Sequence, residues 1–142
     1  MSDRRVSALD LLARLEQHKV SRVAQRRAAL LGEAGRLQHA IDDLGDRMEA
    51  EAYATSAETA PYVGAFITSI RSEIAECERR RQELQRATEL LEEEMRSGFQ
   101  EIKVFEIAAA KRRDALLTTR RKRDEREWNE TMLARHIRDR RR

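Results

Sequence analysis

The stretch that decides the fold is Ala54-Thr55-Ser56-Ala57-Glu58-Thr59-Ala60-Pro61. It holds the only proline of the 142-residue chain and interrupts two long runs of seven-residue periodicity. Thr59 suits the cap of a new helix. Pro61 is tolerated in a first turn, where backbone N–H groups have no intrahelical partner.

Upstream of this break, with Val6 as position a, the a and d positions are Val6, Leu9, Ala13, Glu16, Val20, Val23, Arg27, Leu30, Ala34, Leu37, Ile41, Leu44, Met48 and Glu51. Eleven of these fourteen are apolar, without a phase shift, so the period is the 3.5 residues of a coiled coil and not the aperiodic polarity of disorder. Downstream, the seam reads Val63, Ile67, Ile70, Ile74, Cys77, Arg81, Leu84, Thr88, Leu91, Met95, Gly98, Ile102, Phe105 and Ala109, again eleven apolar in fourteen. Continued to Ile137, the same register gives only three apolar residues in eight, so the seam fades.

A short link between two amphipathic helices makes them antiparallel neighbours. The fold class expected is therefore all-α, a long two-helix antiparallel coiled-coil hairpin with a C-terminal helical overhang. It forms a single coiled-coil domain over residues 1–142, with helix 1 at about 4–54, a turn at about 55–60 and helix 2 at about 61–137. Layers that pair an a with a d residue allow partners whose numbers total 111 or 118. Glu16, Arg27 and Arg81 on the seam read as edge residues whose stems pack while their charges reach water.

Composition agrees with this outline. The chain is 39% charged, 40% hydrophobic and 4% aromatic, with five Gly, one Cys and a net charge of +3. Its mean hydropathy is −0.78. No apolar run approaches the roughly 20 residues of a membrane-spanning helix. No apolar signal core follows Met1-Ser2-Asp3-Arg4-Arg5, and one cysteine makes no internal disulfide, so a cytoplasmic protein is expected.

The small net charge conceals two opposed segments. Residues 42–78 carry nine acids and two bases, and residues 111–142 carry thirteen bases and six acids. The basic segment reads either as a solvated helix with internal pairs from Asp124, Glu125, Glu127 and Glu130, fraying after Ile137, or as a contact for an acidic surface, protein or nucleic acid. Trp128 is its only aromatic, so the segment lacks the interleaved aromatics of sequence-reading nucleic-acid modules.

Chemistry is hard to find. No G-x-x-x-x-G-K-[ST] phosphate loop occurs. His18 and His39 fall at outward f positions, His136 lies in the tail, and Cys77 reads as a packed seam thiol. Neither cofactor nor metal is expected, and the chain reads as a non-enzyme.

A charged two-helix hairpin of this length resembles the stalk proteins of type III protein export, the FliJ/YscO type of flagella and injectisomes. The resemblance covers nearly the whole chain. It is carried by Tyr62-Val63-Gly64-Ala65-Phe66-Ile67-Thr68-Ser69-Ile70, where the family has an aromatic pair followed by helically spaced aliphatics, and by the Arg/Lys/Glu-rich C-terminal helix from Lys111 to Glu127. It implies that the end carrying the termini enters the pore of a hexameric export ATPase, here through Arg4, Arg5, Arg112, Arg113, Arg120, Arg121, Lys122, Arg123 and Arg126. It implies that the turn end meets the export gate through Tyr62, Phe66, Ile70, Glu73 and Cys77, with Arg47 on the first helix. Near Arg36, Ala40, Asp43 and Arg47 the family has tyrosines that this chain lacks. Export chaperones are further implied partners, and the implied place is the cytoplasmic side of the inner-membrane export apparatus, without membrane insertion. A monomer or weak dimer is expected, since a hairpin buries its own seam. The alternatives are a basic helical arm contacting nucleic acid and a self-assembling scaffold coil.

Overall fold

The computed structural model of the chain describes residues 4–54 and 56–141. Two helices account for nearly all of them, α1 at Arg4–Tyr53 and α2 at Ala60–Arg140, and they pair as an antiparallel hairpin. Helix α2 runs past Ile137 to Arg140. Arg138 and Arg140 stand in the last turn, where cations oppose the negative end of the helix dipole.

The turn is closed by Ser56 more than by Thr59. The Ser56 carbonyl accepts from the N–H of Ala60 at 3.0 Å, and the Ser56 N–H donates to Thr59 Oγ1 at 3.0 Å. This is half of a capping box, one turn ahead of the helix it introduces. Thr59 then starts α2 through its carbonyl, which accepts from Val63 N–H at 3.0 Å. Pro61 is the second residue of α2, where it displaces no intrahelical bond.

By packing, the chain forms two compact units, one of Met1–His18 with Phe99–Arg142 and one of Lys19–Gly98. In the unit Lys19–Gly98 the buried residues are Val20, Leu44, Ile70, Leu84, Thr88, Leu91 and Gly98, and in the other they are Val6, Ala13, Ile102 and Ala109. All lie on the two seams read from the heptad pattern. Thr88 is the polar exception, and its hydroxyl donates to the Leu84 carbonyl one turn back at 2.8 Å, so it asks nothing of the facing helix.

Flanking pairs fix direction and register. Glu33 and Arg80, both at position g, pair at 3.4 Å, and Asp10 and Arg113, both at position e, pair at 2.5 Å. Like letters meet across an antiparallel coil, whereas g meets e across a parallel one. Each pair stands where a layer total of 118 places it, and Val20 meets Gly98, whose numbers have that total. Arg27 turns from the seam to Glu92 at 3.0 Å, and Arg81 reaches Gln38 Oε1 at 2.5 Å.

Candidate functional site

Two surfaces carry the candidate residues, and each belongs to one unit. The first surrounds the turn. All nine acids between Asp42 and Glu78 are exposed. Tyr62, in the first turn of α2, is 79% exposed and Glu73 and Arg47 are exposed, while Phe66 beside the seam is half-buried. Ile70, itself a seam residue, is only 3% exposed. Cys77 is half-buried on the same seam.

One carboxylate here is electrostatically special. Arg79 forms a two-pronged hydrogen-bonded pair with Glu76 and holds its carboxyl below the ordinary value of 4.5, first by that hydrogen bond and then by its charge. The heptad reading overlooked Tyr53, the last residue of α1, which is 93% exposed. Its only signal is a large aromatic off the seam beside a chain break.

The second surface is α2 beyond Arg113. Every residue from 113 to 141 is exposed. Arg4 and Arg5 are exposed, Arg112 is half-buried at the seam end, and Arg113 is held by Asp10. Arg120, Arg121, Lys122, Arg123 and Arg126 are exposed, and among the described residues none of them has an ion pair. The internal pairs expected from Asp124, Glu125, Glu127 and Glu130 are thus not formed.

No family model, curated protein or solved structure matches this chain.

The seam reading also overlooked apolar residues pointing outward. Leu11, Leu12 and Leu15 on α1 and Val104 and Ile107 on α2 are 42–62% exposed. They occupy positions c, f and g, and their three- and four-residue spacings were a legible signal outside the a and d positions. Trp128, Met132, Leu133 and Ile137 add exposed apolar area among the tail's charges.

Among the described residues no group of three or more His, Cys, Asp or Glu side chains is placed to hold a metal ion. A groove in the unit Lys19–Gly98, lined by Leu31, Ala34, Arg81, Thr88 and Glu92, is open to solvent. No helix among the described residues is long and apolar enough to cross a membrane.

Proposed function

We propose that this chain is a non-catalytic coiled-coil stalk of a bacterial type III export apparatus, acting in the cytoplasm. The observation that carries this reading is α2 beyond Arg113: every described residue there is exposed, and five clustered cations have no ion pair among the described residues. Such a segment fits a role in which another protein surrounds it. In this reading it enters an acidic opening of a hexameric export ATPase. The acidic turn, with Tyr62, Phe66 and Glu73, meets the export gate, and the hairpin links ATP hydrolysis to export. No catalytic role is assigned to any side chain.

The test is to mix the purified chain with the export ATPase and follow ring assembly and hydrolysis. Faster assembly and hydrolysis are expected, and loss of both effects when Arg120, Arg121 and Lys122 become glutamate. An ATPase indifferent to the chain overturns the reading. A second reading, a non-specific nucleic-acid arm, draws on Trp128, 63% exposed near the same cations and available for base stacking. It requires binding to polynucleotide that weakens steeply with salt.

A further inference from the structure

The unpartnered face of α2 beyond Arg113 has an electrostatic complement within the same sequence. Residues 111–142 carry thirteen bases against six acids, and residues 42–78 carry nine acids against two bases, so the two segments are +7 and −7. All nine of those acids are exposed, as is every described base of the tail except Arg112. Apolar area accompanies the charge on both. Tyr53 and Tyr62 flank the acids at 93% and 79% exposure, and Trp128 and Leu133 stand among the bases at 63% and 61%. We propose that the exposed α2 face of one chain docks on the acidic turn segment of a second copy, a head-to-tail contact steered by charge and seated by these aromatic and aliphatic side chains.

Other pairings within the species are less favourable. Tail against tail sets +7 against +7, and turn against turn sets −7 against −7. Like charges at close range oppose association, whereas opposite patches raise encounter rates and fix orientation. The contact uses two different surfaces, so it is heterologous, and each chain keeps one free surface after the first docking. Assembly is then open-ended and grows with concentration. The inference is independent of the stalk reading, since it needs no protein but this one.

The test uses the full chain, treated with nuclease, in sedimentation runs at several concentrations. At about 0.01 M salt charges act across roughly 30 Å, and at about 1 M across roughly 3 Å. The mass is expected to climb past two chains at low salt and to return to the 16.5 kDa of one chain at high salt. Two variants locate the contact. Asp43→Lys, Asp46→Lys and Glu49→Lys change exposed residues of α1 off the seam, and Arg120→Glu, Arg121→Glu and Lys122→Glu change the exposed tail. Each triple variant alone is expected to stay at one chain with its helix content intact. Mixed in equal amounts they are expected to stop at two chains, because one intact tail meets one intact turn. Any of four results overturns the proposal: a wild-type chain that stays single at low salt, association that needs added polynucleotide, a triple variant that still associates alone, or a mixture that does not.

Discussion

Gly98 and Val20 share one layer of the seam, and no space remains between them for a methyl group. A Cβ added to Gly98 would overlap Cγ2 of Val20 and stand 3.8 Å from its Cβ. The glycine is therefore a packing residue. Val20 is β-branched and held in one rotamer in a helix, so it cannot swing clear at little cost.

Gly98→Ala sets about 1 kcal/mol of gained helix propensity against an overpacking penalty of about 1–3 kcal/mol. A net loss of about 1 kcal/mol is expected in thermal unfolding. Gly32→Ala and Gly35→Ala, with nothing within 4 Å of the added carbon, should each gain up to about 1 kcal/mol. Val20→Ala combined with Gly98→Ala should be more stable than the two separate losses indicate, by about 0.5–3 kcal/mol. Strict additivity would remove the clash as the explanation.

Arg27 occupies a seam position and leans out to Glu92, with both side chains about two-fifths exposed. Glu92 can be hydrated where it stands. Replacing Arg27 by Leu should therefore raise stability, by about 1 kcal/mol, as apolar packing replaces a solvent-screened pair. The polar seam residue restricts pairing alternatives, so the variant should also form mixed oligomers in sedimentation. A drop in stability would mean that the ion pair contributes more than screening allows.

Glu76 supplies a pH test with a definite sign. Its folded-state pKa is depressed by Arg79, so its contribution is present above the ordinary value of 4.5 and is lost as pH falls through the lower folded value. Side-chain carboxyl NMR should show Glu76 titrating below 4.5, and Arg79→Gln should bring it back to that value. An unchanged titration in the variant would refute Arg79 as the cause.

At about 1 M salt, where the chains are expected to be single, backbone exchange should divide α2 sharply. Amides around Leu84, Leu91, Ile102 and Ala109 lie under buried seam side chains, while those beyond Leu116 belong to a helix with no packed face. Lone helices are marginal in water, so the distal amides should exchange at least about 100-fold faster. Deleting residues from 117 onward should change hairpin stability by no more than about 0.5 kcal/mol. Equal protection along all of α2 would show that the extension is covered in solution.

Legibility from sequence followed the strength of each physical signal. Every buried residue was readable, because burial in a two-helix coil needs only the 3.5-residue period, and Val6 through Ala109 keep it apart from the chain break. Register was less legible. Moving one helix by a heptad still pairs a with d, so 111 and 118 look alike on the seam. The flanks separate them. A total of 111 would set Glu33 against Glu73, Arg26 against Arg80 and Asp10 against Glu106, all like charges, whereas 118 sets Glu33 against Arg80 and Asp10 against Arg113. The candidate surfaces were half legible. Charge polarity comes from counting residues, whereas the burial of Ile70 comes from its place on the seam, which its motif position does not show.

The short link already makes the arms antiparallel, and Glu33–Arg80 and Asp10–Arg113 agree with that direction and select the register. The link from Ala54 to Thr59 turns the chain back and keeps the arms at high mutual concentration. Loop length affects that term only slowly. The bend is therefore open to evolutionary tinkering: insertions, deletions or an altered aromatic there can retune what the tip touches while leaving the pairing code of the arms unread and unchanged.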